Sequence, residues 1–336
     1  MHNYTRTELY IDGAWVAPQG TGTIEVIDPA TEQPIGSVPA GNADDVDTAV
    51  AAARKAFDPL ITLAERRDRL TGVITAMEKR LPDIAETITA EMGAPIRIAQ
   101  TVQTQVPLAV ARGFADVLDT FDPEERIGNS LVVREPYGVV AAITPWNYPL
   151  YQVVAKVLPA IAAGCTVVLK PSNEAPLSVF EFVEALDDAG LPSGVVNLVS
   201  GPGAVIGERL AEHPDVDVVS FTGSTGVGAR VGEIAGRTIK KVALELGGKS
   251  ANVILDGADL ATAVKVGVGN AFLNGGQTCM AWTRMLVPRA RYTEALNLME
   301  SAVAKYTVGD PWDPGTRIGP SASKGQYETV LGFIER

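Results

Sequence analysis

The sequence predicts an α/β fold built on a parallel sheet, and three observations carry that expectation. From about residue 138, short apolar runs alternate with segments of helical periodicity, the pattern of strands joined by crossover helices. Helix stops fall where that alternation needs them, as at Gly190-Leu191-Pro192 after the segment 177–189. A hydrophobic content of 46% with 33 glycines in 336 residues fits a globular α/β chain and not a disordered or fibrous one.

The elements follow in order. Residues 8–40 mix Gly, Pro and β-formers and read as short strands, such as 23–27. From Asp44 the apolar positions Val46, Ala49, Val50, Ala53, Ala56 and Phe57 keep helical spacing. Thr62-Leu63-Ala64-Glu65 is a capping-box pattern, in which hydroxyl and carboxylate each satisfy a free N–H. It opens a helix whose apolar face runs through Leu70, Val73, Ile74, Met77 and Leu81. Pro82 is expected to open a further helix that ends at Gly93, and residues 119–137 read as a charged excursion with a hairpin. Strands are expected at 139–143, 166–169, 195–199, 216–221 and 241–244, with helices at 151–163, 177–189, 204–212 and 227–235. Such alternation implies right-handed crossovers. Ligands of such sheets bind beyond the carboxyl ends of the strands. A new βα segment begins after Gly247, and a last helix starts near Gly325.

Composition excludes several function classes. The length suits two or three domains. A net charge of −12 without a basic run argues against nucleic acid or an anionic membrane surface, since phosphate binding needs clustered Lys and Arg. Two cysteines, Cys165 and Cys279, rule out a disulfide framework and a cysteine-based zinc site, and no metal is expected. Residues 1–6 hold no apolar signal core, and the apolar run 157–169 contains Pro159 and Gly164 and falls short of the roughly 20 residues of a membrane span. A soluble protein of a reducing cytoplasm is the expectation.

Chemistry concentrates in a few loops. Cys279 closes the run Asn274-Gly275-Gly276-Gln277-Thr278-Cys279, where a thiol is open to a substrate carbonyl. Glu245-Leu246-Gly247-Gly248-Lys249 is expected to hold a carboxylate on a second loop, able to activate water against a thioester. With only His2 and His213 in the chain, covalent acyl chemistry would run without histidine, and His213 in Glu212-His213-Pro214 reads as a helix-end contact. Cys165 enters an apolar strand and reads as a buried, inert thiol. Pro145-Trp146-Asn147-Tyr148-Pro149 offers an Asn amide that can donate to an oxyanion or simply satisfy its own turn. Lys170-Pro171-Ser172-Asn173-Glu174 ends a strand with a cation and small polar groups, suited to ribose and phosphate or to solvent. Phe221-Thr222-Gly223-Ser224-Thr225-Gly226-Val227-Gly228 joins a strand to a helix whose N-terminus favours anions, though it lacks the usual dinucleotide fingerprint.

Taken together, Pro145-Trp146-Asn147, Lys170-Pro171-Ser172, Phe221-Thr222-Gly223-Ser224, Glu245-Leu246-Gly247-Gly248-Lys249 and Gln277-Thr278-Cys279 resemble the aldehyde dehydrogenase superfamily, in order and at compatible spacing. The resemblance implies an aldehyde-dehydrogenase-like α/β fold with a Rossmann-type cofactor domain and a partial α/β catalytic domain. It implies oxidation of a small-molecule aldehyde to a carboxylic acid with NAD or NADP. Cys279 is then the nucleophile, Asn147 with the Cys279 N–H the oxyanion hole, Glu245 the base for hydrolysis, and Lys156 an aid to proton release. Ile143, Thr144, Pro145, Trp146, Lys170, Ser172, Asn173, Glu174, Gly203, Phe221, Thr222, Gly223, Ser224, Val227, Leu246 and Gly247 would line the cofactor site. Tyr148, Tyr151, Gln152 and Ala155 would line the substrate tunnel. The division implied is a cofactor domain of residues 1–118 and 138–246, an oligomerisation hairpin at 119–137, and an incomplete catalytic domain at 247–336. A homodimer or homotetramer is expected of the full-length form.

Two departures qualify the resemblance. NAD-preferring members commonly carry Glu where this chain has Asn173, which leaves NADP open. Members also continue past this length through a Glu-x-Phe-Gly-Pro motif and a final strand. A truncated, non-catalytic nucleotide-binding module is therefore one alternative. A CoA-acylating semialdehyde dehydrogenase is another, set against the glutamate at 245, which such enzymes generally lack.

Overall fold

The computed structural model describes residues 4–336, so His2 lies outside the described residues. Its centre is a seven-stranded sheet. Five strands run parallel in the spatial order Lys241–Leu246, Val218–Gly223, Val139–Ile143, Thr166–Lys170, Val196–Leu198. The hairpin Leu9–Ile11 and Ala14–Val16 extends that sheet with two antiparallel strands. Short strands were expected there, but nothing in their sequence discloses that they finish a sheet formed mostly from residues after 138.

Helices cover both faces, as a parallel sheet requires. Leu63–Met92, Gln105–Val117, Pro149–Ala162 and Leu177–Asp188 bury one face. Ala43–Ala56, Glu208–Glu212 and Thr225–Gly236 bury the other. A separate small core of Ile254, Leu260, Val264, Val268 and Ala295 forms beyond the sheet. The strands Glu124–Ile127 and Ser130–Val133 pair antiparallel and are exposed throughout, giving the expected hairpin at 119–137. Among the described residues no helix is long and apolar enough to cross a membrane.

The predicted capping box forms: Glu65 N–H donates to the Thr62 hydroxyl at 3.2 Å, and Thr62 N–H to the Glu65 carboxylate at 2.9 Å. Gly93 ends the helix in the left-handed region at φ 74°. Pro82, however, opens no new helix and lies inside Leu63–Met92. A proline inside a helix costs about 3 kcal/mol. Leu70, Val73, Met77, Leu81, Ile84 and Ile88 are nonetheless buried as one continuous stripe, and that packing carries the helix across it. The expected helix at 204–212 opens as a π-helical turn, Gly203–Gly207, before Glu208–Glu212.

Candidate active site

The strand order sets the first half of the site. Val139–Ile143 and Val218–Gly223 are neighbours, and from this pair the chain builds outward in opposite directions. That is a topological switch point, where a crevice opens at the carboxyl ends of the strands. In register, Ile143 lies beside Lys170 on one side and Phe221 on the other. Thr144 and Thr222 continue these ends. Their hydroxyls are buried and have no hydrogen-bond partner among the described residues. Lys170, 5% exposed, donates from Nζ to the Pro171 carbonyl at 2.8 Å, and burial lowers its pKa to about 8.

The flanking groups complete that crevice. Ser224 caps the helix Thr225–Gly236 by accepting from Val227 N–H at 3.4 Å, and Val227 is exposed on the first turn. Gly203 in the π turn and Gly247 after the edge strand have open space where a side chain would stand. Glu174 N–H donates to the Ser172 hydroxyl at 3.3 Å, which folds the loop so that Asn173 and Glu174 border a groove of about 1010 Å³ shared with Pro320, Lys324 and Tyr327. Pro145 is half-buried, and Trp146 packs against the main core rather than standing free.

The second half of the site surrounds Cys279. Asn274, Gly275 and Gly276 have φ of 56°, 66° and 78°, three consecutive left-handed residues. Two glycines and an asparagine are the residue types that tolerate this conformation. The turn leaves Cys279 exposed just beyond it. Asn147 reaches this loop: its Nδ2 donates to the Gln277 carbonyl at 2.9 Å. Thr278 donates from its hydroxyl to the Leu273 carbonyl at 3.1 Å, so in the 2.8 Å contact with Tyr148 the phenol is the donor. Burial raises the Tyr148 pKa, with the Cys279 charge acting in the same direction. Gln277 uses its own side chain to accept from Ala322 N–H at 2.9 Å, tying the loop to the last part of the chain.

Glu245 needs a correction. It lies in the strand Lys241–Leu246, beside Thr222 in register, and not on a loop. This edge strand is exposed along much of its length, so Glu245 faces out of the fold at a fixed place. A Cβ on Gly248 would come to 3.9 Å from the Cys279 carbonyl, so the backbone just after Glu245 runs close to the Cys279 loop. Lys156 is buried, its Nζ donating to the Ser220 hydroxyl at 3.1 Å. Burial lowers its pKa to about 8, opposed by the Glu245 charge.

Tyr151, Gln152 and Ala155 fall at i, i+1 and i+4 on the first turns of Pro149–Ala162, and Tyr148 is the non-helical residue just before it. Gln152 is buried, and Tyr151 and Ala155 are half-buried. Cys165 is buried, and His213 accepts from Asp215 N–H at 3.1 Å, as a helix-end residue should. Four contributors carried no role in the sequence: Gln103, Asn274, Thr278 and Ser220. Asn274 before two glycines did signal a left-handed turn, whereas Gln103 and Ser220 become visible only through tertiary contacts.

Comparisons with known proteins agree with this arrangement. The Aldehyde dehydrogenase family profile matches residues 15–336. A 3-succinoylsemialdehyde-pyridine dehydrogenase from a Pseudomonas species is 50% identical over 98% of this chain and 70% of its own length. A crystal structure of aldehyde dehydrogenase C from Pseudomonas syringae, a cysteine-to-alanine variant complexed with NAD+ and octanal, superposes with a TM-score of 0.97 at 45% identity, covering 99% of this chain and 69% of that one. The structure of an NADP-dependent enzyme from E. coli matches with a TM-score of 0.93 at 34% identity, covering 99% and 70% respectively.

Proposed function

This chain belongs to the aldehyde dehydrogenase family, and from that premise we propose how its own residues divide the work of an NAD(P)-dependent aldehyde oxidation. The contact between Asn147 Nδ2 and the Gln277 carbonyl carries the reading, because it brings an amide donor from the cofactor crevice to the Cys279 loop. The Nδ2 group has two hydrogens and this contact uses one.

Cys279 attacks the aldehyde carbon as the thiolate, forming a C–S bond and moving the carbonyl electrons onto oxygen. Asn147 Nδ2 and the Cys279 N–H hold that oxyanion. When bound, NAD(P)+ supplies the hydride acceptor that oxidises the adduct to a thioester. Glu245 then takes a proton from water, the hydroxyl adds to the thioester, the C–S bond breaks, and the carboxylic acid leaves. Lys156, with its lowered pKa and its neighbours Ser220 and Glu245, accepts and releases protons beside the reacting carbon.

The crevice fits a dinucleotide. Two threonine hydroxyls without a partner among the described residues, a buried ammonium and the positive end of the helix Thr225–Gly236 offer hydrogen bonds and positive potential to ribose and phosphate. The reading assigns its binding to Lys170, Ser172, Asn173, Gly223, Ser224 and Val227, with Trp146, Leu246 and Gly247 toward the reacting end.

The substrate assigned is a small to medium aldehyde, admitted past Tyr148, Tyr151, Gln152 and Ala155. Two relatives support that size, the 3-succinoylsemialdehyde-pyridine dehydrogenase by its name and the Pseudomonas syringae enzyme by its complex with octanal. Residues 1–118 with 138–246 form the cofactor domain, and residues 247–336 supply the nucleophile. The hairpin at 119–137, with Leu131, Val132 and Val133 exposed, joins copies into a cytoplasmic homo-oligomer.

The test is aldehyde-dependent NAD(P) reduction without CoA, with intact-mass analysis of Glu245→Gln. Turnover without CoA and a trapped acyl group on Cys279 are expected. Strict dependence on CoA, or turnover surviving Cys279→Ala, would sink the reading.

A further inference from the structure

We propose that Gln103 is a positioning residue for aldehyde oxidation, clamping the backbone of Asn147 and the side chain of Asn274 so that the oxyanion amide and the nucleophile loop keep one geometry. The proposal rests on the reading of Asn147 as the oxyanion donor.

Gln103 ends the π-helical turn Ala99–Gln103 inside the long helical stretch before the sheet. A π turn inserts an extra residue and swings side chains off the regular helical face, and such turns recur at functional sites. Thr104 stabilises this one, its hydroxyl lying 3.1 Å from the Ala99 carbonyl and 3.0 Å from that of Gln100. Gln103 is thereby aimed inward and is fully buried.

Its amide nitrogen faces two oxygens, the Asn147 carbonyl at 3.0 Å and Asn274 Oδ1 at 3.2 Å, with the weaker acceptor Met92 Sδ at 3.8 Å. A flipped amide would set oxygen against two oxygens, so the orientation follows from chemistry and both N–H groups are engaged. Asn274 closes the triangle, donating from Nδ2 to the same Asn147 carbonyl at 2.9 Å. Two donors therefore converge on one backbone carbonyl, and the residue bearing it points its own amide at Gln277. Asn274 is also the first of the three left-handed residues that deliver Cys279. Gln103 thus touches both halves of the site and no reacting atom.

A displacement of about 1 Å at a reacting centre costs up to about a hundredfold in rate. Gln103→Met keeps the volume and removes both donors. The expected result is kcat lowered by about tenfold or more, dinucleotide KM unchanged, and faster backbone hydrogen exchange confined to residues 274–279. In an Asn147→Ala background the same substitution should add less than about twofold, because coupled residues are non-additive. Gln103→Glu is the second variant: ionised, it repels both oxygens, and protonated, it donates once, so its kcat should recover as pH falls.

If Asn147→Ala leaves kcat unchanged, the oxyanion reading itself fails. If Asn147→Ala lowers kcat while Gln103→Met has no effect, or multiplies in full on top of it, only the positioning role is overturned. Should Gln103→Met not fold, Gln103→Glu decides, and a parental kcat at every pH overturns the proposal.

Discussion

The side-chain amide of Asn147 donates to the backbone carbonyl of Gln277 at 2.9 Å, joining two loops separated by 130 residues. One loop leaves the carboxyl end of a central strand, and the other follows a left-handed turn. An oxyanion donor and a nucleophile need this kind of fixed relation, because an unaligned hydrogen bond contributes little in the transition state.

Asn147→Ala should lower kcat by roughly 10²–10³, the loss measured on removing one oxyanion donor elsewhere. Dinucleotide affinity should stay within a few-fold. Steady-state kinetics with a separate cofactor titration checks it, and a loss seen only in cofactor binding would contradict the assigned role.

Lys156 has a pKa lowered to about 8 by burial. As a proton acceptor it works as the neutral amine, so the rate should climb as pH passes through about 8. Lys156→Arg stays charged and should lose that limb. Stability has its own sign: the unfolded lysine binds a proton that the folded one has released between about 8 and its ordinary 10.5, so this group's contribution rises over that window. A pH–rate profile of the two proteins decides the catalytic claim.

Glu91 is fully buried and accepts from Leu177 N–H at 2.6 Å, Ser178 N–H at 3.1 Å and the Ser178 hydroxyl at 2.5 Å. It thereby caps the helix Leu177–Asp188. Burial raises its pKa to about 8, and that of Glu181 to about 7. A raised carboxyl pKa means the folded state binds more protons, so stability from these groups is full below about 4.5 and is lost as pH rises through 7 to 8. Glu91→Gln should shrink the fall in melting temperature between pH 5 and pH 8, at a cost of about 1–3 kcal/mol at pH 5 for one mismatched donor. An unchanged fall in the variant would contradict this.

Asn173 bears on cofactor choice. A carboxylate there would accept from ribose hydroxyls and repel a 2′-phosphate. Asn173→Glu should raise the kcat/KM ratio of NAD over NADP by about tenfold, or about 1.4 kcal/mol. Paired kinetics with both dinucleotides measures it, and an unchanged ratio would place the discriminating contact elsewhere.

Much of the fold was legible because its signals are local. The capping box at Thr62, the stop at Gly93 and the apolar strands 139–143 and 166–169 each need only neighbouring residues to declare them. Pro82 misled because local propensity favours a break, while a buried stripe running past it supplies more than the break costs. Glu245 reads as a loop residue because the strand's apolar character ends at Leu244, yet pairing with Val218–Gly223 carries the strand on to Leu246. The hairpin 9–16 gave no hint of its partner, since pairing between distant strands leaves no local trace.

By itself the sequence determined the chemistry available: an exposed thiol after an Asn-Gly-Gly turn, a carboxylate ahead of Gly-Gly, and strand ends bearing amide, ammonium and hydroxyl groups. Those depend on residue type and short-range spacing, which a chain states outright. Only the tertiary structure decided the arrangement. It put Asn147 against Gln277, Lys156 between Ser220 and Glu245, and Gln103 beneath both Asn147 and Asn274. Such contacts form because the sheet and its helices bury common apolar faces, and a polar side chain sealed between them must find its partners wherever that burial leaves it.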